Sequence, residues 1–294
     1  MKIIKKPAKP ARKLFVRPAL TKAALTKTTV AFVAMMASMH LHASECAVGK
    51  TLKEGVLTIA TGNPAYFPWV MDNDPASGKG FEAAVAYAVA KQMGFSADKV
   101  EWTSASFDQS IQPGAKNFDF NLQQFSITEE REKVVDFSVP YYSAAMAVLV
   151  NKAAADNGAE ATVESLKTLK WGVDANTTAL PMLQEAIKPD SDPLLYDENT
   201  NVTEAMKANQ IDAALFDLPT ALYLGAVVLE GGVVLGQFPA DRTETPDQFG
   251  LLMEEGNALK ACVDEAVTAL ANDGTLAEIE AQWLQETTGV PVIK

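Results

Sequence analysis

Short apolar segments alternate with longer segments of helical periodicity over most of the chain. The segment VLTIATG predicts a strand over 56–62, and further strands are predicted at KVEWTSAS and over 118–125. FEAAVAYAVAKQMGF predicts a helix, because apolar residues recur every four positions from Phe81 to Met93. The alternation of strands and helices predicts an α/β architecture with largely parallel sheets.

A second unit of the same kind begins after AMAVLVNK, which ends at residue 152. Strands are predicted at LKWGVDA, LLYDENT and IDAALFD, and helices at NTTALPMLQEAI, at NVTEAMKANQ and from about 218 to 228. QFGLLMEEGN predicts a strand that returns to the first unit, and two helical segments, NALKACVDEAVTALAND and TLAEIEAQWLQETT, close the chain. The order of elements therefore predicts two α/β units.

The segment FDFNLQQFSITEEREKVVDFSVPYY concentrates polar groups just after a buried strand. It predicts a helix with Thr128 as N-cap, two acids in the first turn and Arg131 at the third helical position. The N–H groups of a helix start, the hydroxyls of Ser126 and Thr128, and one guanidinium together suit a carboxylate. Spacing alone favours the alternative, a capped surface helix whose Arg131 pairs with a nearby acid.

Residues 1–43 have the composition of a secretory signal. Nine Lys or Arg residues and no acid precede the apolar run TTVAFVAMMASMHL, and cleavage is predicted between Ala43 and Ser44. A transmembrane anchor is the competing interpretation, but about 14 apolar residues fall short of the ~20 that a spanning helix needs. A basic tail that binds nucleic acid would leave the apolar run unexplained. The pattern predicts export.

The charge of the exported chain limits its partners. The whole chain has a formal charge of −12, so loss of the nine cations in the signal leaves about −21. Such a negative field argues against nucleic acid or anionic lipid as a partner. No histidine, G-x-S-x-G motif or phosphate-binding loop follows the signal, so we expect neither a metal nor a cofactor.

Two cysteines remain after the signal, Cys46 and Cys262. An even count in an exported protein favours a disulfide that ties the N-terminus to a C-terminal helix. Lipidation of Cys46 is an alternative, although a lipoprotein site requires small residues before the cysteine and Glu45 stands there. Free thiols or metal ligation are further alternatives, but Cys-x-x-Cys is absent and both histidines, His40 and His42, lie in the signal.

The run SITEEREKVVDFSVPYY resembles the signature of the amino-acid-binding, polar amino-acid type (family 3) of periplasmic solute-binding proteins of bacterial ABC transporters. The similarity extends from about residue 57 to residue 283. It implies the two-lobe, type II periplasmic binding protein fold, with two hinge crossings and the ligand in the interlobe cleft. The first lobe would comprise 50–145 plus 250–294 and the second lobe 146–249, with hinges near 143–150 and 247–252.

The resemblance also implies a ligand site. The family's S-I-T-x-x-R run clamps a ligand carboxylate, which assigns Arg131 and Ser126 to this role. Thr177 and Thr178 match a second-lobe loop that offers N–H groups to the same carboxylate. Asn176, Thr177 or Thr178 would also cap the helix that follows, which is compatible with this role. Asp217 matches the acid that holds the ligand ammonium, and it is also a plausible helix cap. The expected ligand-binding residues are Asn63, Tyr66, Trp69, Gln123, Gln124, Ser126, Arg131, Thr177, Thr178 and Asp217.

Aromatic and amide side chains would surround the ligand side chain. Tyr66 matches the family's aromatic residue that packs over the ligand, and Trp69 adds aromatic surface. Asn63 stands where some members carry an acid for a basic ligand, which favours a neutral polar amino acid. Gln123 and Gln124 replace small residues, and strand alternation predicts that only one of them faces the cleft.

The leading hypothesis is an extracytoplasmic or periplasmic, monomeric receptor that delivers an amino acid to a membrane ABC permease. The alternative is an enzyme on the same fold, such as a cyclohexadienyl or arogenate dehydratase, which would need a positioned acid or base. Isolated carboxylates such as Glu82 do not exclude that chemistry. Glu82 also marks a departure from the family, because GFEAA stands in place of G-F-D-x-D.

Overall fold

The computed structural model describes residues 46–238, 247–284 and 289–294. The predicted signal, residues 1–43, lies outside these ranges. None of the helices in them is both long and apolar enough to cross a membrane. The strands are β1 (Leu57–Thr61), β2 (Val100–Ser104), β3 (Phe120–Asn121), β4 (Val135–Phe137), β5 (Tyr142–Ala144), β6 (Met146–Val150), β7 (Gly172–Asp174), β8 (Leu194–Tyr196), β9 (Ala213–Asp217), β10 (Val233–Phe238), β11 (Asp247–Phe249) and β12 (Leu252–Glu254).

Helices connect most of these strands. The helices are α1 (Phe81–Gln92), α2 (Phe107–Ile111), α3 (Lys152–Asp156), α4 (Val163–Lys167), α5 (Ala179–Met182), α6 (Asn199–Lys207), α7 (Leu218–Tyr223), α8 (Lys260–Asn272) and α9 (Thr275–Trp283). Two of them, α5 and α7, continue as π-helical turns over Leu183–Ile187 and Leu224–Val228.

The first lobe is built on a five-stranded sheet in the order β2-β1-β3-β12-β4. The strand β1 runs parallel to β2 and β3, whereas β12 runs antiparallel to β3 and β4. All five residues of β1 are buried, which is expected of a central strand with both faces covered. The helices α1, α8 and α9 pack together, and their apolar residues share one core with β1.

The second lobe is built around β6, which lies between β10 and β9 with antiparallel pairing to both. A parallel bridge between Trp171 and Ala213 attaches the parallel pair β7-β8 beyond β9. Apolar clusters cover both faces of this sheet, and β6 is buried throughout. Each lobe therefore has its own sheet and its own core.

The two expected crossings between the lobes form a ribbon. The strand β5 leads into β6 of the second lobe, and β11 leads back towards β12 of the first. They pair antiparallel, with Asp247 opposite Ala144 and Phe249 opposite Tyr142. This pairing places the two connecting segments side by side.

The C-terminal residues depart from the predicted lobe boundaries. We expected 250–294 to belong to the first lobe, but residues 289–294 pack on the second. Val292 forms a parallel bridge with Gln237 of β10, and Ile293 joins the apolar core around β6. The Val163 N–H also donates to the Lys294 carbonyl at 2.9 Å. Burial of the Ile293 side chain in this core favours the return of the tail to the second lobe.

The predicted disulfide is confirmed. Cys46 and Cys262 are bonded, with their Cα atoms 5.8 Å apart. Since Cys262 lies on the buried face of α8, the bond fixes the start of the described chain to the core of the first lobe.

The helix predicted around Arg131 is wrong. Only a 3₁₀ turn, Arg131–Lys133, forms, because Val135 already pairs with Glu254 in the sheet. Thr128 still acts as a local cap, since its Oγ1 accepts from the Arg131 N–H at 3.2 Å. Arg131 therefore begins a short 3₁₀ turn that Thr128 caps, rather than lying in the first turn of a helix.

Candidate functional site

A cavity of about 270 Å³ lies between the two lobes. It opens at the carboxyl ends of strands from both sheets, where Thr61 and Ser104 end β1 and β2 and Asp174 and Asp217 end β7 and β9. The residues predicted to bind the ligand all line it: Asn63, Tyr66, Trp69, Gln123, Gln124, Ser126, Arg131, Thr177, Thr178 and Asp217. The fold thus brings together groups that are up to 154 positions apart in the chain.

Arg131 is held in place by both lobes. Its guanidinium lies over the Phe107 ring, 5.2 Å from the centroid, and Nη1 donates to the Ser126 carbonyl at 2.8 Å. Nη2 donates to the Asn176 carbonyl of the second lobe, also at 2.8 Å. Each of these nitrogens carries a second N–H, and Nε carries another. Burial lowers the pKa of Arg131, but a guanidinium keeps its charge at any physiological pH.

The second-lobe loop differs in detail from the prediction. We expected Asn176, Thr177 or Thr178 to cap the helix that follows. In the structure the Asp174 carboxylate accepts from the Asn176 N–H at 3.1 Å, and the Thr177 hydroxyl donates to the Asp174 carbonyl at 2.9 Å. Thr178 occupies the N-cap position of α5 without a side-chain capping bond. An acid at the end of β7 therefore organises this loop, and burial raises its pKa to about 6.

Asp217 ends β9 and begins α7. Its Oδ1 accepts from the Thr220 N–H at 2.8 Å, so the predicted helix cap is confirmed. Burial raises the pKa of Asp217 to about 6, and the nearby Asp247 carboxylate adds to this effect. The Thr220 hydroxyl accepts from the Trp69 indole N–H at 2.8 Å, which links the start of α7 to the first lobe.

The aromatic residues divide between core and cavity. Trp69 is 1% exposed and packs edge-on against Phe81, Tyr142 and Phe249. Tyr66 is less buried, and its hydroxyl lies 2.8 Å from the Thr200 hydroxyl of the second lobe. Trp69 therefore supports the wall, whereas Tyr66 closes the cleft.

Glu82 is a buried acid whose structural role the sequence did not reveal. It is 1% exposed and accepts hydrogen bonds from the Tyr141 hydroxyl and from the backbone and side-chain amides of Gln124. Burial raises its pKa to about 7. The one sequence signal of this role is the Glu that stands in place of the family's Asp within GFEAA.

The expectation that only one of the adjacent glutamines faces the cleft is wrong. Both Gln123 and Gln124 line the cavity. The strand β3 ends at Asn121, and Gln124 has a left-handed backbone with φ of 51°. Strand alternation does not apply to such a residue. Its N–H turns towards Glu82, which fixes this conformation.

Asp247 is a second acid that sequence reasoning missed. It lies on β11, in the crossing ribbon, and its Oδ2 accepts from the Thr178 hydroxyl at 3.1 Å. The Thr178 hydroxyl is in turn 3.3 Å from that of Ser126. Burial raises the pKa of Asp247 above its usual value. No local pattern marks this residue, because its place in the cavity depends on the pairing of β11 with β5.

The comparisons with known proteins agree with this architecture. The family described as bacterial extracellular solute-binding proteins, family 3, matches residues 57–286. The chain belongs to this family. The L-cystine-binding protein TcyJ of Escherichia coli (strain K12) is 29% identical over 259 residues, which cover 86% of this chain and 91% of that protein. These findings confirm the two-lobe fold predicted from the SITEEREKVVDFSVPYY run.

Solved structures give the same result for this family 3 protein. A structure of an ancestral arginine-binding protein bound to glutamine superposes with a TM-score of 0.64, at 27% identity, over 79% of this chain and 98% of that chain. An ancestral amino-acid-binding protein that is a precursor of cyclohexadienyl dehydratase has a TM-score of 0.60 and 26% identity, and covers 78% of this chain and 95% of that chain. Membership of a solute-binding family makes the chain a binding protein rather than an enzyme.

The cavity of this family 3 protein is strongly acidic. Its lining carries five carboxyl side chains and one guanidinium: Glu82, Asp174, Glu198, Asp217, Asp247 and Arg131. Despite this density, the described ranges contain no cluster of three or more His, Cys, Asp or Glu residues that could hold a metal ion. The lining therefore presents charges of both signs to the cavity.

Proposed function

We propose that the chain is an extracytoplasmic receptor that binds an amino acid between its lobes and delivers it to a membrane ABC permease. The single observation that carries the proposal is that Arg131 and Asp217 line one cavity from opposite lobes. An α-amino acid presents a carboxylate and an ammonium, and burial of either one without a partner costs several kcal/mol. A site that offers both partners removes this cost.

Arg131 would bind the carboxylate. Its guanidinium is already oriented by the Ser126 and Asn176 carbonyls, and the N–H groups that remain can meet both oxygens of a carboxylate. Each lobe fixes one of its end nitrogens, so the ligand contacts a donor whose position depends on closure. A charge-assisted bond of this kind contributes about 1.5–3 kcal/mol.

Asp217 would bind the ammonium from the second lobe. It is held at the end of β9 by its bond to the Thr220 N–H, so little side-chain freedom is lost when the ligand arrives. Because the two ligand charges are bound by different lobes, binding favours the closed arrangement over the open one. The motion would take place about the ribbon of β5 and β11, and the closed form would dock onto the permease as a monomer.

Relatives support the same ligand class. TcyJ is named as an L-cystine-binding protein, and the ancestral relative is an arginine-binding protein with glutamine bound. The family is described as extracellular, which agrees with the predicted export signal and a periplasmic location.

Calorimetric titration of the exported chain with the twenty amino acids and L-cystine tests the proposal. We expect one or more to bind, and Arg131→Ala and Asp217→Asn each to weaken that binding about tenfold or more, because each removes a charge-assisted contact. Lys133→Ala is a matched control, since Lys133 is exposed in the same turn and lies outside the cavity. Unchanged affinity in both cavity variants, or no binding of any amino acid, would contradict the proposal.

A further inference from the structure

A residue with an unfavourable backbone conformation lies in the cavity wall. Gln124 has a φ of 51°, in the left-handed region that residues other than glycine rarely adopt. Among the five non-glycine residues with positive φ in the described ranges, Gln124 is the one that lines the cavity. Such a conformation persists only where the surrounding contacts determine it, and it is often found at functional sites. The contacts that hold Gln124 therefore bear on the ligand site.

Glu82 supplies these contacts. Its Oε1 accepts from the Gln124 N–H at 2.8 Å, and its Oε2 accepts from the side-chain amide of the same residue. Hydrogen bonds to an ionised carboxylate are strong, and Glu82 is buried, so water does not compete for them. One carboxylate therefore fixes both the backbone and the side chain of Gln124.

The bend at Gln124 directs the chain from the first-lobe sheet towards the crossing ribbon. The strand β3 ends at Asn121, and Ser126 already forms an antiparallel bridge with Phe249 of β11. The Ser126 carbonyl accepts from Arg131 Nη1 at 2.8 Å. The orientation of the guanidinium thus depends on a segment whose direction is set at Gln124.

The same carboxylate is also bonded to the ribbon. The Tyr141 hydroxyl donates to Glu82 Oε1, and the Tyr141 N–H donates to the Phe249 carbonyl at 2.9 Å. Tyr141 directly precedes β5 and Phe249 ends β11, so these bonds reach both crossing strands. Glu82 therefore connects the segment that carries Ser126 to the ribbon about which the lobes would move.

A second buried acid of the first lobe provides a comparison. Asp119 is as buried as Glu82 and also accepts from backbone N–H groups, those of Leu52 at 2.8 Å and Thr58 at 2.7 Å. Neither Asp119 nor these two partners line the cavity. Asp119 therefore stabilises the same lobe without a connection to the ligand site.

We propose that Glu82 is a positioning residue of the ligand site, which raises the affinity for the amino acid by holding Gln124 in its left-handed conformation and so placing Ser126 and Arg131. The proposal rests on the proposed function and adds a residue that preorganises the same site. Glu82 acts through Gln124, so a contact between Glu82 and the ligand is not required.

Removal of the carboxylate tests the proposal. Glu82→Met keeps the length of the side chain but offers no oxygen to the two Gln124 groups. Calorimetry is performed with the tightest binder among the twenty amino acids and L-cystine, and we expect Glu82→Met to bind it about tenfold more weakly than the wild type. Asp119→Leu is the matched control, which should unfold at a lower temperature but change the dissociation constant by less than about twofold.

A glycine at position 124 distinguishes positioning from general stabilisation. Glycine adopts a positive φ without strain, so Gln124→Gly does not need the bond to Glu82 for this conformation. In the Gln124→Gly background we expect Glu82→Met to weaken binding by less than about threefold, against about tenfold in the wild-type background. Lys188→Gly is the control background, because Lys188 has a φ of 57° but is exposed and outside the cavity. It should leave the tenfold effect unchanged.

Hydrogen exchange of the chain without ligand measures the hold on Gln124 directly. The Gln124 N–H should exchange about tenfold faster or more in Glu82→Met than in the wild type, and at the wild-type rate in Asp119→Leu. Unchanged exchange in Glu82→Met, or an equal loss of affinity in all three backgrounds, would overturn the inference.

Thermal unfolding shows whether each variant is folded. If Glu82→Met is not, Glu82→Gln replaces it. One amide oxygen must then serve both the Gln124 N–H and the Tyr141 hydroxyl, so we expect a loss of about threefold that Gln124→Gly again removes. If the wild-type chain binds no amino acid, the receptor function itself is wrong. If it binds one and the Glu82 variants bind it as tightly, the receptor function stands and the role of Glu82 is wrong.

Discussion

Individual buried carboxyl groups determine how this protein responds to pH. Glu82, Asp174 and Asp217 all have raised pKa values, and burial is the first cause in each case. A raised pKa means that the folded chain binds protons more readily than the unfolded chain over that range. These groups therefore stabilise the fold less as the pH rises. The hydrogen bonds donated to Glu82 and Asp217 limit this cost without removing it.

Glu82→Gln should reduce the pH dependence of stability. The pKa of Glu82 is raised from 4.5 to about 7, so its contribution to folding is full below the lower value and is lost as the pH rises through the upper one. The difference of about 2.5 between the two pKa values corresponds to a decrease of roughly 3 kcal/mol in the free energy of unfolding. Glutamine is neutral throughout and keeps an oxygen for the Tyr141 hydroxyl.

Urea unfolding at about pH 5 and about pH 8 measures this effect. The difference in the free energy of unfolding between the two values should be smaller in Glu82→Gln than in the wild-type chain. Glu278→Gln, at an exposed position on α9, should leave the difference unchanged. An identical pH dependence in all three proteins would show that folding does not change the pKa of Glu82.

At the scale of elements, the start of α7 connects the lobes. The Thr220 backbone N–H is bonded to Asp217, while the Thr220 hydroxyl accepts from the Trp69 indole N–H of the first lobe. One residue therefore takes part in both the helix cap and the interlobe contact, because the Thr220 hydroxyl that accepts from Trp69 also donates to the Asp217 carboxylate.

Thr220→Val should weaken ligand binding moderately. The variant keeps the backbone bond to Asp217 but loses both bonds of the Thr220 hydroxyl, to Trp69 and to the Asp217 carboxylate, and a net hydrogen bond is worth about 0.5–1.5 kcal/mol. Because these bonds join the lobes and orient the acid that would bind the ammonium, affinity should fall about two- to tenfold by calorimetry. Thr168→Val, whose hydroxyl bonds only within the second lobe, is the control and should bind as the wild type does. Wild-type affinity in Thr220→Val would show that the bond does not contribute to closure.

The ends of strands and helices could be predicted best where the residues at the boundary have a clear local preference. Asp217 follows an apolar strand and precedes Leu218 and Pro219, so its place at a strand end and helix start could be predicted. The Arg131 helix could not be judged in the same way. Its interruption depends on the pairing of β4 with β12, more than 100 residues away. Local propensity does not report such tertiary pairing.

The cavity was predicted incompletely for the same reason. All ten expected residues line it, but Asp247 was assigned only to the hinge. Its hydrogen bond with Thr178 joins residues 69 positions apart and forms only in the folded chain. The left-handed conformation of Gln124 was equally invisible, since glutamine has no special preference for it. Residues whose roles depend on contacts with distant parts of the chain could not be identified from the sequence.

At the scale of the whole molecule, the disulfide closes a loop that includes the second lobe. Cys46 and Cys262 are separated by 216 positions, and a cross-link over so long a segment reduces the entropy of the unfolded chain. The bond lies on the buried face of α8, away from the cavity. It should therefore affect stability rather than ligand affinity.

Replacement of both cysteines by serine should lower the free energy of unfolding by roughly 2–4 kcal/mol. Chemical denaturation of the exported chain measures the loss, and calorimetry under native conditions should give an unchanged dissociation constant. The single variants Cys46→Ser and Cys262→Ser are expected to be equally destabilised, because either one removes the bond. A double variant as stable as the wild type would contradict this account.

The C-terminal tail gives the two ends of the described chain different attachments. Cys46 is fixed to the first lobe through α8, whereas Lys294 is hydrogen-bonded to Val163 and Ala161 of the second. Fluorescent reporters attached beside Cys46 and Lys294 would therefore sit on different lobes. Closure of the lobes on a ligand would change the distance between them directly, so these two positions suit an energy-transfer sensor without rearrangement of the chain.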